Sequence, residues 1–496
     1  MRFLAFAFVL LFPVSALAQP VQSPPRFAAI PPLVSQVLNE AKAPGLAVAV
    51  AQHGQIIWEQ GFGWADKEAR VPATPHTLFG LASVTKSFTG TEIALLAERG
   101  RIDLDKPMNR YLGAARLSGP DGNADEATVR RVATHTAGLT SFDAICYADE
   151  RDCDRSLPDM IARYGIVFWK PGTRFDYSNL GYGVLSQAIA EVRGAPYAEA
   201  LRLDLLGPLG IEECALDRTA RVAPHYAGGV RAPNQVALAQ GASGMACSAD
   251  ALLRFGMFQL GEVKPAGRPL LSPSALSAMH DAVAADDAPL RYGLGWWLNP
   301  DLHGYKVIYG SGGTADSGAL LYLFPSEDIA ITVLGNAGNP RLSDIADAIA
   351  GALLPRYAAD LRKPAPAPAP QPPPAVSAPD PGLAAFAGTW RGAIMTWKGP
   401  VAVAFRVAPD GTTQASIAGA PFKPERKARL YGAGGLVLGA HGDIGTPETE
   451  RRRPYRIGLE LYPDTAGRLR GAATTWQDDG ARNGGVFSHW VRLSRD

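Results

Sequence analysis

The alternation of apolar and polar positions predicts two β-hairpins, one early in the chain and one well after its middle. Residues 45–63 (GLAVAVAQHGQIIWEQGFG) contain two apolar runs on either side of a His-Gly turn, and residues 318–336 repeat this form around the turn PSED. Between the hairpins, apolar residues recur at helical spacing, for example from Tyr182 to Arg193, where Gly194 ends the pattern. Because strands come from both ends of this region and helices from its middle, we expect an α+β domain, an antiparallel sheet flanked by helices.

A proline-rich stretch divides the chain. Residues 363–382 read KPAPAPAPQPPPAVSAPDPG, a composition that favours an extended polyproline II spacer and cannot pack a core. We therefore place a linker at 362–382, between a first domain at 19–361 and a tail domain at 383–496. In the tail, short alternating runs are separated by turns such as PDTAG and Asp-Gly, with no helical period. This pattern predicts a small all-β barrel or sandwich.

The N-terminus is typical of an export signal. Arg2 precedes an apolar run from residue 3 to residue 12, and Ala-Leu-Ala follows and ends at Ala18. Residues 1–18 are therefore predicted to be a cleavable signal peptide, and the run is too short for a permanent membrane anchor. We expect a secreted or periplasmic protein. A formal net charge of +1 gives no reason to expect a nucleic-acid partner, and the oligomeric state is left open.

Export permits disulfide bonds among the four cysteines. Cys146 and Cys153 flank a short polar loop and are our first choice of pair, in which case Cys214 and Cys247 close a longer loop. Free, buried thiols are the alternative. The eight histidines are scattered and none lies near a cysteine pair, so we expect no zinc site. The sequence has no Walker loop and no His-Glu-x-x-His motif, so we expect no cofactor and no metal.

Ser83 and Lys86 begin a helical pattern in the segment SVTK. Residues three apart share a helical face, so the amine can reach the hydroxyl, and a helix N-terminus favours a developing alkoxide. A lysine acts as a base only where burial or a nearby charge lowers its pKa. The hypothesis is a serine nucleophile activated by a lysine. The alternative is that Ser83 caps the helix and Lys86 is a solvated surface charge.

Two further segments offer groups for the same chemistry. Tyr177-Ser178-Asn179 is a polar tripeptide directly before a helix, where Tyr177 can transfer protons and Asn179 can bind substrate. The alternative is a helix cap beside a packing tyrosine. Ser311-Gly312-Gly313 lies just before or at the start of a predicted strand, where glycines let a substrate backbone approach. The alternative there is a glycine-rich loop without a ligand.

These three segments, in this order, resemble the serine β-lactamase and penicillin-binding-protein superfamily, specifically its class C β-lactamase and D-alanyl-D-alanine carboxypeptidase/esterase branch. The family signature is Ser-x-x-Lys, then Tyr-x-Asn, then a Lys- or His-x-Gly triplet on an inner strand. SVTK and YSN match in full, and THTAGL and YGLGWWL are also similar to family segments. The resemblance covers nearly all of the first domain and none of the tail. It implies a β-lactamase/transpeptidase-like fold.

The resemblance also implies a mechanism. Ser83 would be acylated, Lys86 and Tyr177 would share the proton transfers, and Asn179 would position a small-molecule or peptide substrate. The oxyanion hole would combine the backbone N–H of Ser83 with that of Thr314, directly after Gly313. The bond cleaved would be an ester, an amide or a β-lactam.

One departure from the signature concerns the substrate. Ser311 stands where a lysine or histidine is usual, and a serine supplies no charge, which favours a neutral ester or amide. His135, in THTAGL, is expected to be a packed structural residue rather than a replacement. The chain lacks a Gly-x-Ser-x-Gly elbow, so an α/β-hydrolase is not supported. The competing hypothesis is a non-catalytic ligand-binding protein that kept the fold.

Overall fold

The computed structural model describes most of the chain, and the structural statements below concern those parts. The described ranges are 23–142, 145–147, 156–216, 221–264, 269–281, 291–338, 340–362, 381–431, 434–446, 456–476 and 485–496. The predicted signal peptide, Cys153 and nearly all of the predicted linker lie outside the described residues.

The α-helices of the described residues all precede the proline-rich stretch. They are α1 (Ile30–Ala41), α2 (Thr85–Glu98), α3 (Val129–Ala133), α4 (Leu157–Tyr164), α5 (Asn179–Arg193), α6 (Tyr197–Leu201), α7 (Gln240–Ser243), α8 (Ala249–Gln259), α9 (Pro273–Met279), α10 (Leu342–Leu353) and α11 (Pro355–Leu361). The helix predicted to end at Gly194 is α5, and Gly194 caps it with a φ of 67°, a conformation that favours glycine. Within the described residues no helix has both the length and the apolar character needed to cross a membrane.

The strands of the first domain form one large sheet and several short ones. They are β1 (Gly45–Gln52), β2 (Gln55–Asp66), β3 (Val71–Pro72), β4 (Phe79–Gly80), β5 (Ile145–Tyr147), β6 (Cys214–Leu216), β7 (Tyr226–Ala227), β8 (Val230–Arg231), β9 (Gln235–Ala237), β10 (Met245–Cys247), β11 (Arg291–Tyr292), β12 (Trp297–Leu302), β13 (Tyr305–Gly313), β14 (Gly318–Phe324) and β15 (Ile329–Gly335). The large sheet has the antiparallel order β11-β12-β13-β14-β15-β1-β2-β3. Both predicted hairpins are present, and β15 pairs with β1, which joins the two ends of the domain.

Helices cover both faces of the large sheet. Side chains alternate between faces along a strand, so Ala47 and Leu321 lie in the core that contains residues of α2 and α8. Val48 and Leu320 lie in a second core with residues of α1 and α10. Because helices cover both faces, β14 and β15 are buried along their whole length. The predicted α+β architecture is confirmed.

The tail forms an all-β domain, as the turn pattern predicts. Its strands are β16 (Gly388–Thr396), β17 (Gly399–Val407), β18 (Thr413–Ile417), β19 (Lys423–Glu425), β20 (Arg429–Tyr431), β21 (Gly435–His441), β22 (Arg456–Pro463), β23 (Leu469–Trp476) and β24 (Val486–Arg495). They form a single antiparallel sheet in the order β19-β18-β17-β16-β24-β23-β22-β21-β20. Because β18 also contacts β21, the sheet curls into a half-barrel around an apolar core.

Candidate active site

Ser83 lies on a tight turn between a strand and a helix. β4 leads into a 3-10 turn, Ala82–Val84, and α2 follows at once, so Ser83 is half-buried at the N-terminal end of a helix. Ala82 has a φ of 44°, a left-handed conformation that costs an L-residue about 1–2 kcal/mol. Strain of this kind persists where the surrounding structure fixes the backbone, and it is concentrated at functional sites.

Hydrogen bonds to acceptors on several elements hold Lys86 against Ser83. Its Nζ donates to Ser83 Oγ at 3.0 Å, to Asn179 Oδ1 at 2.7 Å and to the Ala242 carbonyl at 2.9 Å. The side chain is 0% exposed, so Lys86 is not the solvated surface charge of the alternative interpretation. The predicted approach of amine to hydroxyl is present in the structure.

Tyr177 lies beside this pair. The centre of its ring is 4.9 Å from Lys86 Nζ, although the two residues come from different elements. One face of the phenol stacks on Trp297, with ring centres 6.1 Å apart and an interplanar angle of 8°. The ring of His135 is 4.4 Å away. These aromatic contacts fix the orientation of the half-buried phenol next to the lysine.

The start of α5 divides the Tyr-Ser-Asn tripeptide into structural and chemical roles. Ser178 caps the helix, because its Oγ accepts from the backbone N–H of Gly181 at 3.2 Å. Asn179, the first helical residue, directs its Oδ1 to Lys86. The capping interpretation therefore holds for Ser178, whereas Tyr177 and Asn179 both lie against Lys86.

His135 is packed beneath the tripeptide, as predicted. It is 2% exposed, and its Nδ1 accepts from the backbone N–H of Ser178 at 3.1 Å. Burial, and after it the positive charge of Lys86, lowers the pKa of His135 well below its usual range. The imidazole is therefore neutral. The backbone carbonyl of His135 accepts a hydrogen bond from the N–H of Asp176 at 2.8 Å. His135 therefore supports the backbone on both sides of Tyr177.

Gly310 and Gly312 of β13 face the turn of Ser83 and the start of α2, and Ser311 between them does not. A Cβ on Gly312 would lie 2.7 Å from the backbone N of Ser83, and one on Gly310 would lie 3.2 Å from Ser87 Oγ on α2. Since side chains alternate along a strand, Ser311 points to the opposite face, where it is exposed. Ser311, Gly312 and Gly313 are the last three residues of β13. They were expected just before or at the start of a strand, so this placement is corrected.

Thr314 is engaged within the turn that follows β13. Its backbone N–H donates to the Ser317 carbonyl at 2.9 Å, and its hydroxyl bonds to Asp316 Oδ1 at 2.7 Å. In an antiparallel ladder, hydrogen-bonded and non-hydrogen-bonded pairs alternate. The neighbouring pair, Gly313 with Gly318, therefore directs the N–H of Gly313 away from β14. The geometry favours Gly313 over Thr314 as the second oxyanion donor.

Sequence reasoning missed two groups that shape the site. The Ala242 carbonyl binds Lys86, and a backbone acceptor has no sequence signal of its own. Trp297 supports Tyr177, and it belongs to YGLGWWL, which was singled out only as similar to family segments. The only sequence signal for Trp297 was a large aromatic residue at the start of a strand.

A disulfide supports the turn that carries Ser83. Cys214 on β6 is bonded to Cys247 on β10, and β10 pairs with β4, which leads into the turn. This confirms one of the two predicted pairs. The other, Cys146 with Cys153, is not tested, because Cys153 lies outside the described residues.

One group of side chains in the described residues could hold a metal ion. His76, Glu213 and Asp250 bring ligand atoms within 4.8 Å of one another. Glu213 already accepts from Ser248 Oγ at 2.7 Å, and Asp250 from Arg254 at 2.8 Å. Internal partners satisfy these carboxylates, and we assign the group no metal.

The comparison with protein families agrees with this geometry. A family model described as Beta-lactamase matches residues 31–355. The chain belongs to the β-lactamase family. The predicted resemblance to this family is confirmed.

Two curated relatives of this β-lactamase-family chain carry different names. Protein flp of Staphylococcus aureus (strain N315) is 24% identical over 319 residues, which cover 61% of this chain and 62% of flp. Esterase EstB of Burkholderia gladioli is 32% identical over 191 residues, 36% of this chain and 48% of EstB. The chain thus spans about 62% of the length of the first curated relatives it matches.

A solved structure also resembles this family member across both domains. The octameric penicillin-binding protein homologue from Pyrococcus abyssi has a TM-score of 0.57 and 20% sequence identity, and it covers 94% of this chain and 99% of that chain. At this identity the likeness concerns the fold alone. It confirms the predicted β-lactamase/transpeptidase-like fold, followed by an all-β domain.

Proposed function

We propose that this protein is a serine hydrolase that cleaves an ester or amide bond through an acyl-enzyme on Ser83. The observation that carries the proposal is the 3.0 Å contact between Lys86 Nζ and Ser83 Oγ, made by a lysine with 0% exposure. An exposed pair at this spacing would occur often without function. A buried amine that bonds to a half-exposed hydroxyl at a helix N-terminus is the arrangement that nucleophilic catalysis requires.

The reaction assigns a defined path to the proton. Ser83 Oγ attacks the substrate carbonyl carbon, and its proton passes to whichever member of the Lys86–Tyr177 pair is deprotonated. When the acyl bond breaks, the same pair delivers this proton to the leaving oxygen or nitrogen. Water then repeats both steps and releases the acid. The position of the Tyr177 ring, 4.9 Å from Lys86 Nζ, supports its share in this path.

Two backbone donors are suited to the negative charge that develops on the carbonyl oxygen. The N–H of Ser83 lies within the 3-10 turn Ala82–Val84, and the N–H of Gly313 is directed away from β14, beside the same turn. Each such donor can contribute about 3 kcal/mol in the transition state. The Oδ1 of Asn179 accepts a hydrogen bond from Lys86, so the amide Nδ2 of Asn179 is the group that can donate to substrate.

The charge of the strand opposite Ser83 favours a neutral ester. Residues 309–313 carry no charged side chain, and both positions that face α2, Gly310 and Gly312, are glycines. A substrate carboxylate therefore finds no cationic partner on this part of β13. The relative EstB is named an esterase, which agrees with this choice over a β-lactam or a D-amino-acid peptide.

The proposal includes export. The disulfide between Cys214 and Cys247 supports an oxidising compartment, and residues 1–18 have the pattern of a signal peptide. Fractionation of cells that express the full chain, with mass spectrometry of the mature N-terminus, tests this part. A protein that keeps residues 1–18 in the cytoplasm would contradict it.

Labelling with a fluorophosphonate tests the nucleophile. We expect one adduct, mapped by mass spectrometry to Ser83, and none on the Ser83→Ala variant. A screen of p-nitrophenyl esters, nitrocefin and D-amino-acid peptides should show turnover of the esters first. The non-catalytic alternative predicts no adduct, no turnover, and ligand binding that survives Ser83→Ala.

A further inference from the structure

The tail domain contacts the segment that carries Tyr177. Apolar rings dock the two domains: Phe487 of β24 packs against Phe142 and Tyr164, with ring centres 5.6 and 5.2 Å apart. The ring centres of Trp490, also on β24, and Phe168 are 6.1 Å apart. Phe168 begins the stretch of chain that leads to Tyr177, so this interface lies next to the proposed active site.

At the polar edge of this interface, Arg174 of the first domain binds the tail domain. Arg174 Nη1 donates to Glu460 Oε1 on β22 at 2.6 Å, and its Nη2 donates to Asp176 Oδ2 at 2.8 Å. The side chains of Arg174, Asp176 and Glu460 are 26%, 19% and 27% exposed, so these ion pairs are largely shielded from water. Burial raises the pKa of Asp176, and the positive charge of Arg174 opposes that shift.

Further contacts surround this arginine. Trp169 Nε1 donates to Asp176 Oδ2 at 3.1 Å, and the Arg174 guanidinium lies over the Trp169 ring, 4.4 Å from its centre. On the tail side, Tyr462 OH donates to Glu460 Oε1 at 3.0 Å and packs edge-on against Trp169. Glu460 is therefore held by Tyr462 of its own domain as well as by Arg174.

The segment so bound has little structure of its own. Residues 174–178 form neither helix nor strand. Tyr177 is therefore positioned by separate contacts, namely the bonds of its two neighbours to His135 and the side-chain contacts of Arg174 and Asp176, and not by a regular ladder. Asp176 is next to Tyr177 in sequence, and its backbone N–H is bonded to the His135 carbonyl. A shift of Arg174 would therefore move the phenol relative to Lys86.

We propose that Glu460 of the tail domain is a positioning residue that holds Tyr177 at the Ser83–Lys86 pair through Arg174 and Asp176. The inference rests on the function proposed above, and it gives the tail a part in the acylation step. Displacement of a reacting group by about 1 Å can cost about 100-fold in rate. Loss of the Glu460 charge should therefore slow acylation without abolishing it.

The test is the rate at which a fluorophosphonate labels Ser83 in the full-length protein. We expect Glu460→Gln to lower the maximal labelling rate constant by about tenfold or more, with a nearly unchanged inhibitor concentration at half-maximal rate. The final extent of labelling should equal that of the wild type, which shows that all molecules are folded. Glu460→Asp should recover part of the rate.

A matched control breaks another ion pair between the domains. Arg470 on β23 pairs with Asp121, and neither residue belongs to the segment at residues 174–178. Arg470→Gln should keep the wild-type labelling rate. In a double-mutant cycle, Glu460→Gln should add little to Arg174→Gln, because both changes break one contact.

Each outcome bears on one proposal. Equal labelling rates for wild type and Glu460→Gln would overturn the positioning role, as would an equal loss in Arg470→Gln. A slower rate with a reduced final extent of labelling, and no recovery in Glu460→Asp, would indicate partial unfolding and also overturn it. A wild type without an adduct on Ser83 would overturn the proposed function itself.

Discussion

The two sides of the site are built in different ways. On one side, Ser83 and Lys86 lie one helical turn apart, and α2 with its buried surroundings fixes their distance. On the other, Tyr177 lies at the end of an irregular segment, and its position depends on His135, Trp297 and a salt bridge from the tail domain. Local helical geometry is robust, whereas an assembled position depends on each of its contacts.

Removal of the lysine should break the local side and have the largest effect. Lys86→Met should lower the rate of Ser83 acylation by about 10³- to 10⁴-fold, because the nucleophile loses its proton acceptor. The rate of fluorophosphonate labelling measures this directly. A loss of less than tenfold would show that Lys86 is not the activating group. Urea unfolding of the variant separates this effect from the cost of leaving Asn179 and Ala242 without their donor.

Removal of the phenol oxygen should weaken the assembled side. Tyr177→Phe keeps the ring contacts with Trp297 and should lower kcat for an ester by about 100-fold. Tyr182→Phe is the matched control, since its OH donates to the Ala133 carbonyl at 2.7 Å. That control should lose about 1–2 kcal/mol of stability and keep its pH–rate profile. Equal kinetic losses in the two variants would contradict a specific role for Tyr177.

Loss of the disulfide tests how far the local side depends on its distant support. A Cys214→Ser and Cys247→Ser double variant should lower the free energy of unfolding by about 2–4 kcal/mol, because the bond closes a loop with a sequence separation of 33 residues. The folded fraction should keep its kcat, since α2 and its packing hold Ser83 and Lys86. A large fall in kcat of the folded enzyme would show that β10 and β4 determine the nucleophile turn.

A buried carboxyl on α2 gives the smallest expected effect, and it depends on pH. Burial, and then the charge of Asp204, raises the pKa of Glu92 to about 8 from an ordinary value of 4.5. Between these values the folded state keeps a proton that the unfolded state has lost, so stability falls as pH rises through this window. Glu92→Gln should remove that fall and gain about 1–3 kcal/mol more at the upper end of the window than at the lower.

Urea unfolding of wild type and Glu92→Gln at both ends of this window measures the difference. An equal difference in stability at the two pH values would show that Glu92 does not titrate in this range. The acylation rate should change little in this variant, because Glu92 lies further along α2 than Lys86 and is 0% exposed.

Prediction from the sequence succeeded wherever neighbours along the chain determine the structure. The hairpins and the α5 helix follow from periodicity and from Gly194, and the Ser83–Lys86 contact follows from helical spacing. The face occupied by Ser311 was not predictable in this way. It depends on where β13 pairs with β14, and a shift of one residue moves every side chain to the other face.

By itself, the sequence determined the fold class, the order of the site motifs and the reactive pair, because these depend on short-range periodicity and spacing. Only the tertiary structure placed Tyr177 against Lys86, 91 positions apart in the chain, directed Thr314 into a turn and brought Glu460 to Arg174 across 286 positions. Contacts at such distances are set by the packing of whole elements and domains. No local pattern in the chain encodes that packing.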